Sequence, residues 1–221
     1  MANIDPKQRI YVNLAEIAQS ISHPSRLELL EYLAQGKRSV EELATLCGIE
    51  FANASRHLQT LRRARLVETE RKGKHVYYSI VNQDSVIELL NALGIVGKQN
   101  NAEIKQIMAD YFEARDKLTP ISREDLLAQL TDGSVTLLDV RPEREFNQGH
   151  LPGALNISVE KLAEQLSQLP KGMEIVAYCR GPYCLLSLDA IELLTAQGFK
   201  IRRLEEGFPE WKAAGLQIEN A

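Results

Sequence analysis

Two of the three cysteines in this 221-residue chain lie five positions apart, in Cys179-Arg180-Gly181-Pro182-Tyr183-Cys184. They follow the apolar run Ile175-Val176-Ala177 and precede a long apolar-periodic segment beginning at Leu185. An apolar run, a Gly-Pro turn and then helical periodicity read as strand, tight loop and helix. Cys179 is therefore expected at the carboxyl end of a strand, ahead of a helix whose free amides and positive dipole end favour an anion. Such a setting depresses a thiol pKa, and the fixed charge of Arg180 acts in the same direction, so Cys179 is the candidate nucleophile. Cys184 can close back on it as a disulfide or through a bridging sulfur if the loop curls.

The elements that must position this loop follow an alternating pattern. Ser122 caps a helix through Leu130, Val135 to Val140 is an apolar strand, and Leu151 to Ile157 brings a turn and a short strand. Val159 to Leu166 is helical, Ile175 to Tyr178 a strand, Leu185 to Gln197 a helix, Ile201 to Leu204 a strand, and Pro209 to Ala214 a last short helix. Alternation of this kind implies an α/β fold with a parallel sheet, in which ligands sit at the carboxyl ends of the strands.

The preceding half is organised differently. Ile10, Leu14, Ile17 and Ile21 recur at helical spacing, and His23-Pro24 breaks that helix. Leu27, Leu29, Leu30 and Leu33 supply the next apolar face before Gly36, and Ser39 with Glu42 forms a capping-box pattern for a short helix ending at Gly48. Ala52 to Ala64 is then a helix with Ala54, Leu58 and Leu61 inward and Asn53, Ser55, Arg56, His57, Gln59, Arg62 and Arg63 on its other faces. A helix, a glycine turn and a helix rich in Arg, Asn, Gln and Ser form a helix-turn-helix, whose second helix enters the major groove of DNA. Leu66 to Glu70 and His75 to Ile80 read as two strands around Arg71-Lys72-Gly73-Lys74, a basic hairpin tip suited to phosphates. The residues assigned to DNA are Asn53, Ser55, Arg56, His57, Gln59, Arg63, Arg71, Lys72 and Lys74.

Charge divides along the same line. Residues 1–97 carry 12 Lys and Arg against 11 Asp and Glu, residues 98–118 carry 4 against 4, and residues 119–221 carry 10 against 15. The near-neutral first part nevertheless concentrates seven cations between positions 50 and 75, as a nucleic-acid face requires. The expected organisation is a helix-turn-helix domain over 1–97, a helical connector over 98–118 and an α/β domain over 119–221. An odd cysteine count without a leader pattern predicts a cytoplasmic, reducing setting, and no apolar run is long enough to span a membrane. Cys47 falls on the apolar side of its helix and is expected to be a core thiol.

Ser22-His23-Pro24-Ser25-Arg26-Leu27, Ser55-Arg56-His57-Leu58 and Gly73-Lys74-His75-Val76-Tyr77-Tyr78 resemble the ArsR/SmtB family of winged-helix repressors over residues 8–95. The resemblance implies a homodimer, formed mainly by helices at about Ile10 to Ile21 and Asp84 to Leu93, that leaves operator double-stranded DNA when an inducer binds or oxidises a sensing site. Metal-sensing members carry a cysteine pair before the recognition helix, or Asp, His and Glu on the last helix. Here Ser39-Val40-Glu41-Glu42-Leu43 has no thiol and Asp84-Ser85-Val86-Ile87-Glu88 no histidine, so neither a metal site nor a cofactor is expected.

Leu138-Asp139-Val140-Arg141-Pro142, Gly149-His150-Leu151-Pro152-Gly153-Ala154, Tyr178-Cys179-Arg180-Gly181 and Gly207-Phe208-Pro209-Glu210-Trp211 resemble the rhodanese family over residues 121–219. The resemblance implies that Cys179 attacks a sulfane sulfur and holds it as a persulfide, cradled by loop amides from Arg180 to Leu185, with Gly181, Tyr183 and Leu185 in that cradle. It makes Cys179, Cys184 and Arg180 the catalytic candidates and a small sulfur donor (thiosulfate, a polysulfide or a persulfide) the ligand. Asp139, Arg141 and His150 are expected to brace the fold, and Glu206 stands where many rhodaneses have a second glycine. A cysteine phosphatase would need an arginine six positions after its nucleophile, and that position is Leu185. Three functions stay open on these residues: a repressor that senses or handles sulfur, a sulfurtransferase whose winged helix localises or dimerises it, and an arsenite or oxidant sensor using Cys179 and Cys184.

Overall fold

The computed structural model describes residues 5–115 and 119–220. The chain divides into two compact units between Val86 and Ile87. The first begins with α1 (Pro6–Ile21), α2 (Pro24–Ala34), β1 (Arg38–Ser39), α3 (Val40–Leu46) and α4 (Phe51–Arg63). β2 (Val67–Lys72), β3 (His75–Ile80) and the start of α5 (Gln83–Asn100) follow. The three strands form an antiparallel sheet in the order β1-β3-β2, with Lys72 paired to His75 across the hairpin. The first strand of the wing therefore starts one residue later than expected and runs two residues further toward the tip, taking in Arg71 and Lys72. β1 was hidden in the sequence because two residues, Arg38 and Ser39, carry no periodicity.

Local chemistry accounts for most of these boundaries. His23 caps α2 by accepting from the Ser25 amide at 3.1 Å, and Pro24 occupies the first turn, where a missing N–H costs nothing. Ser39 and Glu42 form the expected capping box: the Glu42 amide donates to Ser39 Oγ at 3.3 Å and the Ser39 amide to Glu42 Oε2 at 2.9 Å. Leu29, Leu30 and Leu33 of α2, Leu43 of α3, Leu58 and Leu61 of α4 and Tyr78 of β3 are all buried, and α2 packs on α3, α4 and β3. α1 behaves otherwise. Its stripe is not buried within the chain, for Ile10 is 60% exposed and Leu14 54%, and only the Ile21 end joins the core.

Lys98-Gln99-Asn100-Asn101 reads as a polar break ahead of one more helix, and the break falls only at its last residue. α5 runs to Asn100, because Lys98, Gln99 and Asn100 are tolerated on an exposed helical face, and Asn101 is the cap of the next helix. Its side chain accepts from the Glu103 and Ile104 amides. α6 (Ala102–Ile107) continues into a wider π-helical turn over Met108–Glu113. The connector's apolar stripe chooses the second unit: Met108 and Phe112 are buried against Leu188, and Arg115 pairs with Asp189 at 2.9 Å and Glu192 at 2.8 Å. The rest of the expected connector, residues 116–118, lies outside the described residues.

The second unit continues with α7 (Arg123–Thr131), β4 (Val135–Asp139), α8 (Glu143–Phe146), β5 (Leu155–Asn156) and α9 (Val159–Leu162). β6 (Glu174–Tyr178), α10 (Leu186–Ala196), β7 (Ile201–Arg203) and α11 (Phe208–Ala213) complete it. The sheet is parallel, in the order β5-β4-β6-β7, as the alternating pattern requires. Strand pleating sorts its two cores. Ile175, Ala177 and Cys179 share one face with Leu138 and Val140, while Val176 and Tyr178 share the other with Leu137, Phe208 and Trp211. Among the described residues no helix is long and apolar enough to cross a membrane.

Candidate sulfur site and nucleic-acid interface

Cys179 is the residue after β6, a central strand with β4 on one side and β7 on the other. By the alternation of the strand it is the third in the row Ile175, Ala177, Cys179, so its side chain enters the same buried cluster as Ala190, Ile191 and Leu194 of α10. Cys184 belongs to that cluster too, and the two sulfurs are joined by a disulfide across Cα atoms 6.3 Å apart. The loop thus curls as its residues allowed. The Gly181 carbonyl accepts from the Cys184 amide at 3.1 Å, closing a turn with Pro182 and Tyr183 at its corners. The amides of Gly181, Tyr183 and Leu185 donate to no backbone carbonyl among the described residues, which leaves them available to an anion. α10 itself begins at Leu186, beyond the loop.

Arg180 has a different place from the one its position beside Cys179 suggested. Its guanidinium forks onto Glu145 of α8, with Nε 2.9 Å from Oε2 and the second nitrogen 3.0 Å from Oε1, and both side chains are largely buried. It ties the base of the loop to α8. On the other side, the Phe208 amide donates to the Cys179 carbonyl at 3.0 Å, and a Cβ added at Gly207 would fall on the Gly181 amide nitrogen. Only glycine can sit there, so the backbone after β7 forms the seat of the loop. Glu210 accepts from the Gly207 amide at 2.9 Å and holds that seat in place. Glu206 turns to Arg123, 3.1 Å away; burial pushes its carboxyl up from the ordinary value, and the Arg123 charge opposes that shift. Glu145 and Gly207 carry no role in the sequence reading. Both lie more than twenty residues from the cysteines in sequence, and no local pattern joins them to the loop.

Asp139 and Arg141 brace the site from below. Both side chains are wholly buried, with Arg141 donating to Asp139 from its backbone amide, its Nε and a terminal nitrogen, the last at 2.6 Å, and to the Gly149 carbonyl at 2.8 Å. The guanidinium lies 4.4 Å from the Phe208 ring centroid and 5.6 Å from that of Tyr178. His150 stacks on Phe146 and its Nδ1 lies 3.0 Å from the Phe146 carbonyl, a structural role as expected.

In the first unit the exposed face of α4 and the hairpin enclose a groove of 580 Å³, lined by Ser55, Gln59 and Arg62 of α4 and by Arg71 and Lys74 of the hairpin. Arg56 and Arg63 are exposed on the same helix. Four of the residues assigned to DNA, His57, Asn53, Gln59 and Lys72, are buried or have a partner within the chain. His57 is buried with its ring 4.3 Å from that of His23, and burial lowers its pKa, so it is a packing residue; three residues after Ala54, it falls on the inward face. Asn53 accepts from Arg56 at 3.1 Å, and the Gln59 amide donates to the Tyr78 hydroxyl at 3.0 Å, which holds that side chain against β3. Lys72 lies 3.5 Å from Glu70, which also pairs with Lys37. Arg62, seven residues after Ser55 and so on the same helical face, belongs to the groove although it was left out of the assigned set.

Cys47 is half-buried and unbonded. Burial, with Glu28 and Glu31 adding to it, pushes its thiol up to about 12. Its thiolate fraction at pH 8 is then on the order of one in ten thousand, and alkylation by iodoacetamide is expected to be slow in the native protein and fast after denaturation. Rapid native-state labelling of Cys47, read by peptide mass, would contradict this placement.

Comparison with known proteins agrees with the two halves. A family model described as rhodanese-like domain matches residues 122–214, and one described as helix-turn-helix domain matches residues 21–70. The chain is 37% identical over 215 residues to the HTH-type transcriptional regulator Rv0324 of Mycobacterium tuberculosis, covering 97% of this chain and 94% of that one. Its C-terminal part is 33% identical over 100 residues to a sulfurtransferase of Allochromatium vinosum, covering 44% of this chain and 92% of that protein. Among solved structures, the homodimeric winged helix-turn-helix DNA-binding domain of a Mycobacterium bovis protein is similar at 32% identity and a TM-score of 0.41, covering 47% of this chain and 94% of that one. With a helix-turn-helix unit, a rhodanese-like unit and a relative that matches both along nearly its whole length, the chain belongs to the family of HTH-type transcriptional regulators that carry a C-terminal rhodanese-like domain.

Proposed function

We propose that this regulator is a homodimeric repressor of the ArsR type whose rhodanese-like domain senses reactive sulfur through Cys179, with Cys184 as the resolving thiol. The observation that carries the reading is the placement of both sulfurs in one buried cluster at the end of β6, close enough to bond. The loop then has two covalent states, which is what a switch requires. In the reduced protein the Cys179 thiolate attacks the sulfane sulfur of an organic persulfide. The thiolate of the donor leaves with the electron pair of the broken S–S bond and takes up a proton, and Cys179 becomes a persulfide. The Cys184 thiolate next attacks Cys179 Sγ and expels hydrosulfide. The two thiols have lost two electrons, and the sulfane sulfur has gained them as sulfide. With thiosulfate as donor, sulfite is the first leaving group.

Dimerisation has its support in the apolar side chains left exposed on α1 and α5: Ile10, Tyr11 and Leu14 on the first, Leu89, Leu93 and Val96 on the second. Operator contacts would come from Ser55, Arg56, Arg62 and Arg63 of α4 and from Arg71 and Lys74 of the hairpin. Arg62→Ala is expected to weaken operator binding and to lower the slope of log affinity against log salt by about one, as the loss of one phosphate contact does. Lys72→Ala should cost less, because Glu70 already shares its charge. Fluorescence anisotropy on a duplex selected by the protein from a random pool, repeated across a salt series, measures both. An unchanged affinity and slope for Arg62→Ala would remove it from the interface.

The test of the sensing reading is operator affinity before and after exposure to a polysulfide, with the mass of the Cys179–Cys184 peptide followed in parallel. A fall in affinity of at least about fivefold, accompanied by disulfide formation, is the expected result. The likeness to a sulfurtransferase favours a second reading, an enzyme that a winged helix localises or dimerises. Fast Cys179-dependent sulfur transfer from thiosulfate, with operator affinity indifferent to the donor, would support it instead. An arsenite adduct on both cysteines in the same peptide would point to the third function.

A further inference from the structure

Tyr183 stands between the two cysteines, at a corner of the turn closed by Gly181 and Cys184. Its side chain reaches α5. A Cβ added at Gly94 would fall on the Tyr183 hydroxyl, and two of the ring carbons lie 3.4 and 3.7 Å from the same point. No other residue at position 94 offers that seat. Gly94 is the more conspicuous because it stands inside a helix, where glycine costs about 1 kcal/mol against alanine. The two residues also border one cavity of 830 Å³, lined by Leu90, Gly94 and Ile95 of α5 and by Pro182, Tyr183 and Glu206. Space is therefore present beside the ring for a second position. α5 itself begins in the winged-helix unit at Gln83, where the Gln83 side chain donates to the Ala34 carbonyl at 2.8 Å, and its later turns belong to the rhodanese-like unit.

Resting on the sulfur-sensing reading, we infer that Tyr183 is the positioning residue that transmits the state of the Cys179–Cys184 loop to α5, through the seat of its ring on Gly94. Formation of the disulfide draws Cys184 to Cys179 and sets the turn that carries Tyr183. Opening the bond frees that turn, and the ring moves into the cavity beside it. α5 then feels a different contact in the two states, the differential free energy that any coupling between sites requires. Pocket and seat thus work together: the cavity receives the ring in one state, and Gly94 receives it in the other.

The geometry sets a compensation test. Gly94→Ala obstructs the hydroxyl, so operator affinity is expected to differ little between the dithiol and disulfide forms of this variant, against at least about fivefold in wild type. Adding Tyr183→Phe removes the one atom that the new Cβ would overlap and leaves the ring carbons at ordinary contact distance, so the double variant Gly94→Ala/Tyr183→Phe is expected to regain most of the ratio. Disulfide formation at Cys179, read by mass, should proceed in Gly94→Ala as in wild type. A wild-type ratio in Gly94→Ala, or a double variant no better than Gly94→Ala, would overturn the coupling. Hydrogen exchange of residues 87–100 in the full-length protein gives a readout independent of DNA. The dithiol and disulfide forms should differ there in wild type and agree in Gly94→Ala. If wild-type operator affinity ignores the loop while exchange still differs, sensing fails and the coupling stands; if exchange does not differ, the coupling fails whatever the DNA does.

Discussion

Cys179→Ser is expected to bind operator as wild type does under reducing conditions and to lose all response to polysulfide. The substitution exchanges one sulfur for one oxygen in a buried cluster of the second unit, while the basic face lies wholly in the first, so basal affinity has no reason to change. A serine hydroxyl is not ionised at neutral pH and forms no persulfide, so the chemistry stops before its first step. Cys184→Ser separates the two steps. It should accept sulfur at Cys179 and hold it, visible as one added sulfur atom in the peptide mass, without forming the disulfide. If the persulfide alone moves operator affinity in that variant, resolution is not required for the signal. If Cys179→Ser still responds to polysulfide, the sensing role passes elsewhere, and Cys47 is then a poor substitute because its thiol is held at about 12.

Arg141→Ala is expected to be the most damaging single change to the fold. Arg141 and Asp139 have no exposed side-chain surface, and the guanidinium satisfies both carboxylate oxygens and the Gly149 carbonyl. Removing it leaves an uncompensated charge in the core, which costs about 3–5 kcal/mol. Against a total stability of roughly 5–15 kcal/mol, that is enough to lower the melting temperature of the rhodanese-like unit by on the order of 10 °C or more. The transition of the winged-helix unit should not move. Calorimetry of the full chain reads both. Replacing the pair together by Asp139→Leu and Arg141→Met should recover much of the loss, since a buried ion pair exchanged for apolar groups of similar volume is often neutral. A single variant that melts like wild type would show that water or a rearranged neighbour takes the place of the guanidinium.

Periodicity carried much of the fold in plain view. Ile175, Val176 and Ala177 alternate between two cores in the structure as a strand must, and that alternation already sends Cys179 toward α10. The capping box at Ser39 and the Gly-Pro turn were readable because they depend on residues a few positions apart. Helix faces were less secure. His57 looked like a polar residue of a recognition helix, yet it lies on the inward side with Ala54 and Leu61, where its ring packs on His23. The polar stretch at 98–101 reads as a break, and the break falls only at Asn101, because polarity alone does not end a helix while the side chains face outward.

The amino-acid sequence by itself determined the two kinds of domain, the loop that brings Cys179 and Cys184 within reach of each other, and the basic character of the recognition helix and hairpin. All of these are written in neighbours and short repeats. Only the tertiary structure decided that Arg180 serves Glu145, that Gly207 must be bare where the loop backbone lies on it, that the connector packs on α10, and that Tyr183 rests on Gly94. Those pairings join residues twenty-six to eighty-nine positions apart. Nothing in local propensity encodes them, because they arise when separate elements bury their faces against one another.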